Sequence, residues 1–329
     1  MQWRWRSICY YYRKTIKKHN INKAPLLYTK GLYLFNLKNN MKKVFIFILL
    51  FASLKLFAQE KMTALDSLTD IEIQLQGQAF QMINNTDENI RLTNTFFMIK
   101  NLVKAFKISG SFNFPFDSVK AISVLKSPDE KFRVLSWHLQ LANGVNRQYG
   151  VIQINPEKLT KKQKKNKDLK LIFPLIDRSD SIMNADDTIT NNEFWFGAHY
   201  YSMVPFTVKK KVYYLLLGID GWDKSANRKV IEVLSFDKDK PVFGAPVFKM
   251  KDEKTKTRVL FTYDNEATMT LRWFADKQYV VFHNLIPKDG ESWEMKKNYV
   301  PDGSFDYLKL EYGTWKQYIK LQDFYIDTK

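Results

Sequence analysis

The chain has a single cysteine, Cys9, among its 329 residues. Everything downstream of it is therefore without disulfides, a thiol nucleophile or thiolate metal ligands. Acidic residues are missing from the first 40 positions, which hold nine Lys or Arg. No apolar run reaches the roughly 20 residues that a membrane-spanning helix needs. There is no G-x-S-x-G elbow, no Walker or dinucleotide glycine motif and no H-x-x-x-H pair. These absences argue against an α/β-hydrolase, the common nucleotide-binding enzymes and a local zinc motif.

What is present starts with residues 41–59, MKKVFIFILLFASLKLFAQ. Lys42 and Lys43 precede an apolar stretch, and Ala58 supplies a small residue where cleavage can occur. This is the layout of a secretory signal peptide, although Leu56 is a poor outer residue for the cleavage site. Counted through Ala58, a helix rising ~1.5 Å per residue spans only about 22 Å, short of the roughly 30 Å hydrocarbon core. The sequence thus predicts a signal peptide over 41–58, cut after Ala58, with no stable transmembrane anchor after cleavage. No cysteine follows for lipid attachment. The expected destination is across the inner membrane, in the periplasm or the extracellular space.

A complete signal belongs at an N-terminus, so residues 1–40 read as an over-extended start, unstructured, with translation beginning at Met41. The competing reading is a basic, aromatic arm for nucleic acid or membrane. The first 58 residues contain 12 of the 52 Lys and Arg and none of the 34 Asp and Glu. Without them the net charge falls from +18 to +6. An apparent nucleic-acid footprint shrinks to a mildly basic surface, and no nucleic-acid partner is expected.

Residues 59–110 read as a helical hairpin. Leu65, Leu68, Glu72, Leu75, Ala79 and Met82 recur at helical spacing within 62–84. Asp87 suits the N-cap of a second helix, whose expected core stripe is Leu92, Phe96, Ile99, Val103 and Phe106. Residues 111–329 read as an antiparallel β domain. Residues 132–141 alternate, with Leu135, Trp137, Leu139 and Leu141 on one face and Ser136, His138 and Gln140 on the other. Asn143-Gly144 then turns the chain into 148–154.

Further strands are expected at 119–125, 171–176, 194–206, 212–219, 228–236, 258–263, 268–274, 278–285, 305–312 and 315–321. Asp289-Gly290 and Asp302-Gly303 mark turns. Residues 241–249 look extended and punctuated, as at a sheet edge or crossing. The fold class is mainly β with an N-terminal helical hairpin, its antiparallel sheets forming a sandwich, an open barrel or a small propeller-like array, with α+β as the alternative.

The run GIDGWDKSANRKVIEVLSFD at 218–237, followed by PVFGAP at 241–246, resembles a group of secreted bacterial proteins without assigned function. The resemblance covers roughly residues 119–325. It implies secretion and a β-rich domain, and it carries over no catalytic residue.

Candidate chemistry is sparse. His138, His199 and His283 lie in three different expected strands, and neither a metal site nor a cofactor is expected. Seven lysines between 158 and 170 read as a solvated helix or loop, the alternative being an anion or membrane-surface patch. Asp177, Asp180, Asp186 and Asp187 crowd a polar loop without the spacing of an EF-hand.

The best ligand-binding candidate is the loop of Asp220, Trp222 and Asp223, with Asn227 and Arg228 nearby. There Trp222 could stack on a sugar while Asp223 accepts hydroxyl hydrogen bonds. The competing reading is a β-turn whose indole covers the core edge.

Catalytic residues are unassigned. The expected function is a non-catalytic exported module that binds a glycan, a peptide or an envelope component. The alternative is a carboxylate-dependent hydrolase of envelope or extracellular polymers, drawing on Glu193, Glu232, Glu266 or Asp223, with carboxyls ~5–9 Å apart in one cleft. An outer-membrane barrel is opposed by the N-terminal helices and the lysine run. Mass spectrometry of the native exported protein should find Gln59 at the N-terminus. A peptide from residues 1–40 in that material would overturn the reading of the start.

Overall fold

The structure is a computed structural model and describes residues 63–221, 224–252, 254–288 and 292–321. The signal segment 41–58, residues 1–40, Trp222, Asp223 and the Asp289-Gly290 turn lie outside the described residues. Met62–Lys329 forms one compact unit.

Two helices open it, α1 (Ala64–Asn84) and α2 (Glu88–Ala105). Thr63 and Asp66 close a capping box on α1. Asp87 caps α2 as expected, accepting a hydrogen bond from the Asn89 N–H at 2.8 Å. Leu68, Leu75, Ala79 and Met82 bury the expected face of α1, but Leu65 is 62% exposed. The expected core stripe of α2 holds only in part: Leu92, Ile99 and Phe106 pack, partly buried, against the helical core, while Val103 is exposed. The buried residues of α2 are Thr95, Met98, Asn101, Leu102 and Ala105, a face turned roughly 100°, about one residue, around the helix. The reason is the neighbouring helix. Asn101 donates to Gln74 at 3.1 Å and to Gln78 at 3.3 Å, so polar residues sit in the α1–α2 seam.

The strands form three open sheets. The first runs β1 (Ser123–Lys126), β2 (Phe132–Gln140), β3 (Asn146–Ile154), and then, after the short helix α3 (Lys161–Lys165), β4 (Ile172–Ile176). The second is built from β5 (Thr190–Asn191), β6 (His199–Val208), β7 (Lys211–Ile219), β8 (Ala226–Asp237) and β9 (Lys240–Phe243) in the order β5-β9-β8-β7-β6. The third takes β10 (Phe248–Lys249), β11 (Thr255–Lys256), β13 (Leu271–Phe274), β14 (Tyr279–Pro287), β15 (Tyr299–Glu311) and β16 (Thr314–Tyr318). The remaining strand, β12 (Val259–Asp264), pairs with β8 of the second sheet. Among the described residues the strands pair antiparallel except for β10 with β16, an isolated parallel bridge joins Asp177 to Trp195, and no sheet closes into a barrel.

Three hydrophobic clusters stack these parts as layers. The helices pack on Leu135, Trp137, Leu139 and Val151 of the first sheet. The other face of that sheet, including Phe132, Val134 and Ile152, meets Tyr214, Leu216, Val230 and Leu234 of the second. The far side of the second sheet, including Leu215, Leu217, Ile231 and Val233, meets Leu271, Val280, Phe282 and Trp315 of the third. The second sheet is therefore covered on both faces. Its strands read as continuous apolar runs, such as Leu215-Leu216-Leu217, because alternate residues enter different cores. Fully burying each such leucine stabilises the fold by about 1.5–3 kcal/mol.

Residues 240–249 are a crossing between sheets, with β9 in the second and β10 in the third. Asp302-Gly303 is not a turn. It lies inside β15, opposite a register shift between His283 and Leu285, because β15 and β14 stay paired beyond it. Phe194 to Ala198 stay outside regular strand, and β6 begins only at His199.

The hairpins β6–β7 and β8–β9 turn on Lys209-Lys210 and Lys238-Asp239, all four with positive φ, between 46° and 69°. Two-residue turns of this hand match the twist of the strands, but each non-glycine residue held there costs about 1–2 kcal/mol. Replacing Lys209→Asn together with Lys210→Gly should raise the unfolding free energy by about 1 kcal/mol. Urea denaturation checks this, and an unchanged or lowered midpoint would refute it.

Candidate functional site

The predicted ligand loop leaves the end of β7, and the structure separates its residues. Asp220 is buried, 3% exposed. Its carboxylate accepts from Arg228 Nε at 2.7 Å, from Arg228 Nη2, and from Gln148 Nε2 at 3.3 Å. Its backbone N–H donates to the Arg228 carbonyl at 2.9 Å. Asn227 lies on the opposite face of β8, where its side chain donates to the Asn265 carbonyl at 3.3 Å. Successive strand residues alternate faces, so Asn227 and Arg228 cannot serve the same site. Trp222 and Asp223 lie outside the described residues.

Around Asp220 the fold assembles a polar cluster from ends of the first two sheets. Gln148 of β3 stands opposite His138 of β2. Asp177 follows β4 and accepts the Gln148 N–H at 3.0 Å. His199 opens β6, its ring 5.8 Å from that of His138 in an edge-to-face arrangement. Asn146 Nδ2 donates to the Gly221 carbonyl, and the Tyr200 N–H donates to Ser136 Oγ at 2.9 Å, tying the two sheets together. Gly197 is required here. Its φ is +83°, and a Cβ would lie 2.7 Å from Asp177 Oδ1 and 3.0 Å from Gln148 Cβ. The guanidinium of Arg228 lies 4.8 Å from the centre of the Phe196 ring, a cation–π contact.

Burial pushes the Asp220 carboxyl up to about 7, against the pull of Arg228 and with a further upward push from Asp177. Burial, helped by the charge of His138, drives His199 down to about 4. Burial also lowers His138, although the residue as a whole is exposed. Gln148 Oε1 and His199 Nδ1 are buried and have no hydrogen-bond partner among the described residues. The cluster thus sets a carboxyl of raised proton affinity beside two polar atoms without partners among the described residues, Gln148 Oε1, an acceptor, and His199 Nδ1, which accepts or donates according to the ring tautomer. Among the described residues no group of three or more Asp, Glu, His or Cys is placed to hold a metal ion. His283 sits apart. It stacks on Phe305 at 4.3 Å, and its Nδ1 accepts from the Thr270 N–H at 2.9 Å.

A second polar network lies inside the core between the first two sheets. Glu232 and Arg258 form an ion pair in which both side chains are completely buried. The Tyr200 hydroxyl donates to Glu232, and Trp195 Nε1 donates to that hydroxyl at 2.9 Å. Arg258 also reaches the carbonyls of Ala185 and Thr188 and the Thr190 hydroxyl. Burial and the charge of Glu232 hold the Tyr200 phenol well above its ordinary range, so it stays protonated and donates. Of the carboxylates considered for hydrolysis, Glu232 is sealed in this network, while Glu193 and Glu266 are exposed in separate turns.

Sequence reasoning missed Gln148 and Asp177 as members of the Asp220 cluster, and it left the meeting of His138 with His199 open. The available signal was a polar residue at alternate positions of otherwise apolar strands: Ser136 and His138 on β2, and Gln148 on β3. No protein-family model, no curated protein and no solved structure matches the chain.

Asp220 and His199 give opposite pH signatures. The folded-state pKa of Asp220 lies above its unfolded value of about 3.9. It therefore favours the fold most at acid pH, and this contribution is lost as pH rises from about 4 through about 7. The depressed His199 pKa works the other way, with stability lost as pH falls from about 6.5 towards 4. Urea unfolding at pH 5 and pH 7.5 should show Asp220→Asn removing the loss on the alkaline side and His199→Gln removing the loss on the acid side. Profiles parallel to the wild type would contradict both assignments.

Proposed function

We propose that the chain is an exported, non-catalytic binding or envelope-associated module whose ligand is a glycan, a peptide or an envelope component. Export rests on the signal-like segment at 41–58. The observation that carries the non-catalytic reading is the fate of the buried charges. Glu232 is closed by Arg258 and Tyr200, and Asp220 by Arg228 and Gln148. Arg133 donates to Gln153 and to the carbonyls of Ser111 and Phe114. Each of these groups fastens one layer or loop to the next, and none of these contacts points outward to a reacting bond. Truncating one member of the fully buried Glu232–Arg258 pair should be costly, about 3–5 kcal/mol, because the other charge stays buried.

The loop from Asp220 to Asp223 remains the preferred ligand contact. Asp220, its first residue, is held internally by Arg228 and Gln148; the ligand contacts proposed from the sequence are Trp222, stacking on an apolar ligand face, and Asp223 as the acceptor. Incubation with isolated envelope material should give binding without release of reducing ends or new amino termini. Trp222→Ala with Asp223→Asn should weaken that binding by about tenfold or more, with the thermal midpoint unchanged. Loss of stability without loss of binding would favour a purely structural turn. Product release that disappears in Glu193→Gln or Glu266→Gln would replace the proposal with the hydrolase.

A further inference from the structure

The lysine run between residues 158 and 170 is only one part of a larger basic surface. Its helix α3 docks on the β8–β9 turn, where Gln163 Nε2 donates to Asp239 Oδ1 at 2.8 Å. That turn carries Lys238 and Lys240. In the β7–β8 register Tyr214 pairs with Leu234, so the start of β7 lies beside the end of β8. The β6–β7 turn, with Lys209, Lys210 and Lys211, therefore sits at the same end of the second sheet. Three segments remote in sequence (157–170, 209–211 and 237–240) converge there. They hold twelve lysines and four acidic residues, and all twelve lysines are exposed. The β1–β2 turn meets the same end, where Asp129 accepts from the Tyr214 hydroxyl at 2.7 Å and Glu130 pairs with Lys158 at 3.4 Å. Counting Asp129, Glu130 and Lys131 lowers the net charge from +8 to +7, still above the +6 of the whole chain after residue 58, so the positive charge of that part is concentrated at this end.

Two further observations point outward from this end. Lys209, Lys210 and Lys238 occupy positive-φ turn positions that Asn and Gly fill with less strain. The chain keeps charge where the backbone favours other residues. Beside them lies the β15–β16 turn, since a Cβ on Gly313 would be 2.8 Å from Val208 Cγ1. At the tip of that turn Tyr312 is fully exposed, at 103%. A tyrosine standing free beside a field of lysines matches the chemistry of a bilayer interface, where the ring sits at headgroup level and the ammonium groups meet lipid phosphates.

We infer that this end is a docking surface for an anionic lipid bilayer, held by lysine–phosphate attraction with Tyr312 at the interface. Lysines act as point charges and lack the bidentate fork of arginine, which fits a diffuse array of headgroups better than one shaped anion. No aromatics interleave with the lysine run to stack bases, which weighs against single-stranded nucleic acid. The inference deepens the envelope reading above and rests on it for its setting. Vesicle binding in vitro tests the surface alone and cell fractionation tests export, so the two can fail separately.

Full-length protein should cosediment with phosphatidylcholine vesicles containing 30% phosphatidylglycerol (about a third anionic, to mimic a charged leaflet). It should bind pure phosphatidylcholine far less, and raised salt should weaken the anionic binding. Lys209→Asn with Lys210→Gly relaxes the turn yet should weaken binding by about fivefold per charge removed, so a loss cannot come from misfolding. Lys161→Glu with Lys164→Glu should weaken it further, and Tyr312→Ser should reduce the part that resists salt. All variants share the same N-terminus, so residues 41–59 cannot account for differences among them. Equal binding to neutral vesicles, wild-type binding by both lysine variants, or capture by soluble heparin with no vesicle binding would each overturn the inference.

Discussion

The ion pair of Glu232 and Arg258 is the constraint on which the layered fold depends. A sheet covered on both faces has no solvent for a charged side chain, so a glutamate in its middle strand needs a complete set of partners. Arg258 supplies the opposite charge, and Tyr200 supplies a hydroxyl donor, itself held by Trp195. The remaining donors of Arg258 fasten the segment of Ala185, Thr188 and Thr190 that leads into β5. One carboxylate thus fixes strands β6 and β8, the start of β12 and the approach to β5. An apolar pair could pack there, but it would not specify which loop closes over which strand.

The same logic, applied at the rim, builds the Asp220 cluster. Asp220 sits where β7 leaves the core, and Arg228 returns on β8 to meet it. The Phe196 ring lies 4.8 Å from the Arg228 guanidinium and 4.9 Å from that of Arg258, so the rim cluster and the central pair share one aromatic wall. The opposite end of the second sheet is different in kind. There the turns are short, lysine-bearing and solvated, and Asp129 alone among the acidic groups named there meets a buried partner, the Tyr214 hydroxyl. The second sheet thus separates a rim whose charges are used internally from a rim whose charges face outward.

Much of the element order was legible in the sequence because it rests on local physics. Asp87 reads as an N-cap because its carboxylate has a nearby backbone N–H to accept from, whatever surrounds the helix. Asn143-Gly144 reads as a hairpin because Gly144 can take a φ of +86°. The α2 stripe was legible only in part, since Leu92, Ile99 and Phe106 do pack on the core but the fully buried residues lie beside them. Leu92, Ile99 and Val103 are the more apolar residues, yet the seam with α1 is set by Asn101 meeting Gln74 and Gln78, a pairing between residues 23 to 27 positions apart. Asp302-Gly303 misled for a related reason, since turn chemistry inside a long paired strand yields a bulge when both flanks remain hydrogen-bonded. Of the candidate site, Asp220 was legible as the opening of a loop, but its burial was not.

By itself, the sequence determined the compositional and local matters: a chain free of cysteine after residue 9, a short apolar segment at 41–58, two helices, and strands in antiparallel succession. Those follow from charge, periodicity and turn chemistry within a few residues. Tertiary structure alone decided that the sheets stack with the second in the middle, that Asp220 faces Arg228 while Asn227 faces away, and that three separate lysine segments meet at one end. Each of these depends on strand register and on which face lies against which layer. A chain fixes them only when distant segments bury their apolar faces together.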